Sequence, residues 1–179
     1  LVACALEYLP ADCQADIADL GTGSGAIALA IAHERPGSRL LATDSSAAAL
    51  EVAAANARQL GLDNIVFANG SWCEALGKRQ FDLIVSNPPY IPEADPHLQR
   101  GDVRFEPRTA LAAGSDGLDD LRHIAGCAYT HLREGARLVL EHGFDQAEPV
   151  RRILEENGYH DITAYRDMAD RPRVTTGSR

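Results

Sequence analysis

The chain has 179 residues, about one domain's worth, and its 45% hydrophobic and 24% charged residues are the mix of a folded globule rather than a disordered tail. Lys plus Arg number 17 against 26 Asp plus Glu, a formal charge of −9. That balance weighs against a general nucleic-acid binder and against docking on anionic membranes, both of which need a basic surface. No apolar run approaches the ~20 residues that span a bilayer.

Strand-like and helix-like segments alternate along the chain. The opening LVACALEYL reads as the interior of a helix, and with Met168 the only methionine the expectation is a trimmed piece of a longer protein. Residues 15–20 (ADIADL) form a short apolar run that ends in a glycine turn. Residues 26–34 (AIALAIAHE) predict a helix stopped by Pro36-Gly37, and 38–43 (SRLLAT) a second strand. An Ala-rich helix over 46–60 takes Ser45 or Ser46 as N-cap and ends at Gly61. Strands follow at 64–68 (NIVFA) and 81–86 (FDLIVS). From Tyr90 to Gly117 the pattern breaks down, and an irregular insert of that length inside a domain is usually functional. A helix over 118–132, a strand at 136–141, a helix over 146–157 and two closing strands at 160–165 and 173–176 complete the reading. Such alternation predicts a parallel sheet with helices on both faces, whose ligands bind at the carboxyl ends of the strands.

Cys4, Cys13, Cys73 and Cys127 form no C-x-x-C pair and lie far apart, so reduced, buried cysteines in a cytoplasmic protein are expected. The six histidines are scattered, and no metal site is expected.

Asp19-Leu20-Gly21-Thr22-Gly23-Ser24-Gly25 follows the first strand and opens the first long helix. Its glycines permit a tight turn with positive φ and close approach of a ligand to the backbone. Asp44 ends the second strand about 20 residues further on, where an acid can accept ribose hydroxyls. The loop also fits the relaxed dinucleotide pattern G-x-G-x-x-A, so an oxidoreductase using a nicotinamide remains a competing reading. Asp19 favours S-adenosylmethionine, because a carboxylate suits the ammonium of a methionine moiety better than a pyrophosphate. Trp72 follows the third strand, and its ring can lie against adenine or serve as a core residue under a loop.

Asn87-Pro88-Pro89-Tyr90 directly follows the fourth strand. Two prolines in succession hold a loop rigid. The side-chain carbonyl of Asn87 and the main-chain carbonyl of Pro88 are adjacent acceptors, which suits a planar NH2 group with two donors. Tyr90 adds an aromatic face. Such a constellation fits methylation of an amide or exocyclic amine, a poor nucleophile whose developing charge fixed acceptors would stabilise.

With these motifs in place the sequence resembles the peptide chain release factor glutamine N5-methyltransferases, the HemK/PrmC family. The carriers are DLGTGSGAIALA at 19–30, SNPPYIP at 86–92, DPHLQRGDVRFEPRTAL at 95–111, LEHGFDQ at 140–146 and RVTTG at 173–177. The resemblance implies an α/β, seven-stranded Rossmann-like methyltransferase fold, mostly parallel with the last strand antiparallel. It implies one catalytic domain over 1–179, preceded in the family by a small helical substrate-binding domain. It implies methyl transfer from S-adenosylmethionine, giving S-adenosylhomocysteine, to the glutamine of the GGQ motif in class 1 release factors. Cofactor contacts carry over onto Asp19, Gly21, Thr22, Gly23, Ser24, Gly25, Asp44, Trp72 and Asn87. Substrate contacts carry over onto Asn87, Pro88, Pro89 and Tyr90, of which Asn87, Pro88 and Tyr90 are the catalytic candidates. The family commonly has an acid before the tryptophan, where this chain has Ser71. The insert's Arg100, Arg104 and Arg108, interleaved with Glu93, Asp95, Asp102 and Glu106, either shape the substrate mouth or pair with one another. A monomer with a protein substrate, and with no direct nucleic-acid or membrane partner, is expected. The alternatives are an N6-adenine or other exocyclic-amine methyltransferase on DNA or RNA, which shares NPPY, and a module that binds the cofactor without turnover.

Overall fold

A computed structural model of the chain describes residues 1–93 and 113–179. Asp95, Arg100, Asp102, Arg104, Glu106 and Arg108, and the FEPRTAL stretch at 105–111, lie outside the described residues.

The described elements run α1 (Val2–Glu7), β1 (Asp16–Leu20), α2 (Ala26–Glu34), β2 (Arg39–Asp44), α3 (Ala47–Leu60), β3 (Ile65–Asn69), β4 (Phe81–Ser86), α4 (Asp119–His131), β5 (Leu132–Glu141), α5 (Ala147–Glu156), β6 (His160–Arg166) and β7 (Pro172–Ser178). A single 3₁₀ turn, Glu74–Leu76, lies between β3 and β4. The strands form one sheet in the order β3-β2-β1-β4-β5-β7-β6. β1 to β5 pair in parallel, and β7 runs antiparallel to both β5 and β6. The parallel part is the sheet that the alternating pattern predicted, and the seven strands with an antiparallel last strand are what the family resemblance implied.

Side chains alternate across the strands and so fill two separate cores. Ile17, Leu83, Val85 and Val139 face a layer built from α1, α2 and α3. Ala18, Ile84, Leu138 and Leu140 face α4 and α5 on the other side. Leu83, Ile84, Leu138 and Leu140 are fully buried, and removing one such side chain from water contributes about 1.5–3 kcal/mol. α3 carries both of its expected stops. Ser46 is the N-cap, its hydroxyl accepting from the Ala49 N–H at 3.2 Å, and Gly61 closes the helix at φ 68°.

One expectation is corrected. Cys73 and Cys127 form a disulfide, with Cα atoms 6.1 Å apart, while Cys4 and Cys13 are free. The wide spacing misled because proximity here is tertiary. The turn after β3 and the middle of α4 pack into the same core, which brings the two Cα atoms within bridging range. The bond closes a loop spanning 54 positions. Replacing both residues by Ser is expected to lower the unfolding free energy by about 2–4 kcal/mol, read from urea denaturation of the oxidised protein and the variant.

Ile91 and Glu93 pair with Ala113 and Gly114 through the backbone. Ala113 N–H donates to Ile91 O and Glu93 N–H to Gly114 O, each at 3.0 Å. Among the described residues no helix is long and apolar enough to cross a membrane.

Candidate active site

The chain order reverses its direction across the sheet between β1 and β4, which are neighbours in register Leu20↔Ser86. The glycine loop leaves the sheet at the carboxyl end of β1 and the NPPY loop at the carboxyl end of β4. The two therefore emerge side by side at the switch point, where such sheets bind ligands. Ser86 locks them together, its buried hydroxyl donating to Leu20 O at 2.7 Å.

Asp19 is the residue before the last of β1 and only 1% exposed. Its Oδ2 accepts from the Thr22 hydroxyl at 2.7 Å, while Oδ1 is buried and makes no hydrogen bond. Burial pushes the carboxyl up to about 6, against the opposing pull of the Thr22 hydroxyl and the Ala28 backbone N–H. A buried carboxylate oxygen without a donor is costly, and a cationic or N–H-rich group is the partner it lacks. This is the observation by which the site fits the ammonium of a methionine moiety.

The loop itself is held from β2. Thr43 O accepts from both Gly21 N–H and Thr22 N–H at 2.9 Å. Gly23 N–H donates to Asp44 Oδ2 and Ser46 N–H to Asp44 Oδ1, each at 2.8 Å. Asp44 is thus fixed in orientation at the loop's rim, with lone pairs left for hydroxyl donors. Gly21, Gly23 and Gly25 all have positive φ, as the turn required. At Gly25 a Cβ would also stand 3.0 Å from Leu29 and 3.1 Å from Ala53. Ser24 opens the turn into α2, and its carbonyl accepts from the Asn56 side chain at 3.0 Å.

Trp72 joins this cluster. Its ring lies over Gly21, so close that a Cβ there would be 2.9 Å from Cζ3. Its backbone sits at φ 45°, a conformation a bulky residue adopts only when its surroundings impose it. Thr43 Oγ1 donates to Trp72 O at 3.4 Å, and the Trp72 side chain opposes the rise that burial imposes on the Asp120 carboxyl of α4. Trp72 is both half-buried against the core and a face over the glycine loop. Ser71 is exposed, and its N–H donates to Glu74 Oε2 at 2.9 Å.

In the NPPY loop Asn87 is exposed, Pro88 buried, and Pro89 and Tyr90 half-buried. Tyr90 O accepts from Gln146 Nε2 at 3.0 Å. Thr43, Ser86, Asp120 and Gln146 were not read as site residues from sequence. Two of them carried a signal, Ser86 as the first residue of SNPPYIP and Gln146 as the last of LEHGFDQ. Among the described residues no three His, Cys, Asp or Glu side chains are placed to hold a metal ion.

Residues 3–101 match the family of methyltransferase small domains. A release factor glutamine methyltransferase of Xylella fastidiosa (strain Temecula1) is 56% identical over 177 residues, covering 99% of this chain and 64% of that protein. Proteins of the same name from Coxiella burnetii and Escherichia coli (strain K12) are 50% and 49% identical, again over 64% of their length. The chain thus spans just under two thirds of the relatives it matches. Among solved structures, a ribosomal protein L11 methylase from Lactobacillus delbrueckii superposes with a TM-score of 0.73 at 23% identity, covering 99% of this chain and 76% of that one. TrmN from Thermus thermophilus gives 0.68 at 20% identity, covering all of this chain and 48% of that one. At these identities the two structures bear on the fold alone.

Proposed function

We propose, from the premise that the chain belongs to the methyltransferase small domain family, that it transfers a methyl group from S-adenosylmethionine to the side-chain amide nitrogen of the GGQ glutamine in class 1 release factors. The observation that carries this is the adjacency at the switch point. An unpaired buried carboxylate oxygen on Asp19 ends β1, and a rigid pair of acceptors follows β4, its neighbour. The relatives named above act on release factors by their names, and nearly the whole of this chain aligns with them.

In this reading Asp19 pairs with the ammonium of the methionine moiety. Asp44 accepts from the ribose hydroxyls and the Trp72 ring lies against adenine. Gly21 to Gly25 let the cofactor approach the backbone, with Thr22 holding Asp19 in place. When bound, the cofactor supplies an electrophilic methyl group on a sulfonium. The substrate amide presents its NH2 group to Asn87 and Pro88, which orient the nitrogen and favour the positive charge that grows on it during attack. Pro89 keeps the pair rigid and Tyr90 walls the site. No strong general base is needed, because the proton leaves a nitrogen already made acidic by methylation.

The experiment is incubation with methyl-labelled S-adenosylmethionine and a purified class 1 release factor, beside the same factor with its GGQ glutamine changed. Label in the first and none in the second is expected. Equal labelling of both would overturn the reading, and label appearing only in DNA or RNA would move it to the exocyclic-amine alternative.

A further inference from the structure

Gln146 lies just before α5, is 7% exposed, and spends its whole amide on backbone groups of three separate segments. Its Nε2 donates to Tyr90 O at 3.0 Å and to Gly117 O at 3.3 Å, with Asp116 O at 3.5 Å sharing the same hydrogens. Its Oε1 accepts from Gly143 N–H at 2.8 Å. The orientation is fixed by this set, since a flipped amide would aim an oxygen at three carbonyls and a donor at a donor.

Two glycines make room for it. A Cβ at Gly117 would stand 2.4 Å from Tyr90 O and 2.9 Å from Gln146 Nε2, and one at Gly143 would stand 2.9 Å from Gln146 Oε1. Gly117 also has φ 74°. Backbone is therefore brought close on both sides of one buried amide.

The NPPY loop has a particular need for such a partner. Pro88 and Pro89 have no N–H, so neither can anchor the loop by donating. A carbonyl just beyond them can, and Tyr90 O is held by Gln146. We propose that Gln146 is a positioning residue for methyl transfer: it fixes the NPPY loop, and with it the Asn87 and Pro88 acceptors, relative to the glycine loop, without touching either reactant. This rests on the glutamine-methylation reading for its kinetic arm but not for its structural one. The distinguishing prediction is that catalysis and cofactor affinity separate. Asp19, Asp44 and Trp72 are held by Thr22, Gly23 and Thr43, whereas a displacement of about 1 Å in a reactant-positioning group costs on the order of 10²-fold in rate.

The test compares wild type with Gln146→Ala and Gln146→Glu. For Gln146→Ala, kcat is expected to fall between about 10- and 100-fold, with the dissociation constant for S-adenosylmethionine, from calorimetry, staying within about threefold of wild type. Amide exchange should rise in 86–93 and 116–118 but not in 19–25. Gln146→Glu keeps the acceptor for Gly143 N–H and loses the donor when ionised. Its kcat relative to wild type should therefore climb as pH falls from 8.5 towards 6, where protonation restores one donor. Asp116, Asp145 and His142 are the titratable neighbours, and they are common to both proteins, so the ratio removes them. Unchanged kcat and unchanged exchange in Gln146→Ala would overturn the proposal, as would equal losses of turnover and cofactor affinity. If the wild type itself leaves release factor unlabelled, the function reading falls, and the exchange comparison alone decides whether Gln146 holds the loop.

Discussion

Asp19→Asn is expected to remove measurable binding of S-adenosylmethionine and, at the same time, to raise the stability of the ligand-free protein at pH 8. Both effects come from one buried carboxyl. In the folded chain burial raises it to about 6 from the ordinary 3.8. Between those values the native state holds a proton that the unfolded state has released, so stability is full below pH 3.8 and is lost as pH rises through about 6. Above that the ionised group sits in the protein at a cost of about 3 kcal/mol. Asparagine is neutral at every pH, and its amide can still meet the Thr22 hydroxyl. The variant should therefore be more stable by about 1–3 kcal/mol at pH 8 and nearly equal to wild type at pH 4, measured by urea unfolding at both.

Binding moves the other way. A cation paired with the ionised Asp19 stabilises the state that burial disfavours, so wild-type affinity should weaken as pH drops below about 6. Removing the charge should weaken binding by about 30-fold or more at pH 8, since truncating one partner of a buried charge pair costs about 2–5 kcal/mol. Calorimetric titration checks both statements. An Asn variant that binds as tightly as wild type, or is no more stable at pH 8, would show that Asp19 is a structural acid and not the cofactor's partner. A site residue that destabilises the empty protein is the pattern expected where function and folding compete.

The physical reason some features were legible from sequence, and others not, separates along the same line. Local features read well. Ser46 and Gly61 bound α3 because an N-cap hydroxyl and an αL glycine act within one turn of the helix. The positions of the glycine loop and Asp44, at the ends of β1 and β2, were legible because the apolar runs mark those strands. The 3₁₀ turn after β3 is too short to carry a period. β5 begins at Leu132 rather than near 136 because Gly135, at φ 77°, interrupts the alternation while a register shift opposite Phe81 and Leu83 absorbs it. What sequence could not offer is tertiary adjacency. The bond between Cys73 and Cys127, the lock from Ser86 to Leu20 O, and the reach of Gln146 to Tyr90 O each join positions that are 54 or more residues apart. No spacing rule covers such pairs, because the strand order that brings them together is itself a global property.

Under the proposed function Asn87 is the acceptor at that junction, and its replacement is the second large effect. Asn87→Ala should lower kcat for release-factor methylation by roughly 10²-fold or more, the usual consequence of losing one preorganised polar contact to developing charge. Its exposure makes the experiment clean. A solvent-facing side chain next to the sheet contributes little to folding, so the melting transition should shift by no more than the equivalent of about 0.5 kcal/mol. Ser86→Ala supplies the contrast, because it leaves the buried Leu20 carbonyl without its donor and should cost about 1–3 kcal/mol of stability. Asn87→Asp separates acceptor from amide. Its carboxylate still accepts N–H groups and favours positive charge on the attacking nitrogen, so it should retain more turnover than Ala. The order wild type, Asp, Ala in kcat, with folding unchanged across the three, is what an acceptor role requires. If Ala and wild type turned over within threefold of each other, the role would pass from the Asn87 side chain to the main-chain carbonyls of the loop, and the side-chain acceptor would have to be abandoned.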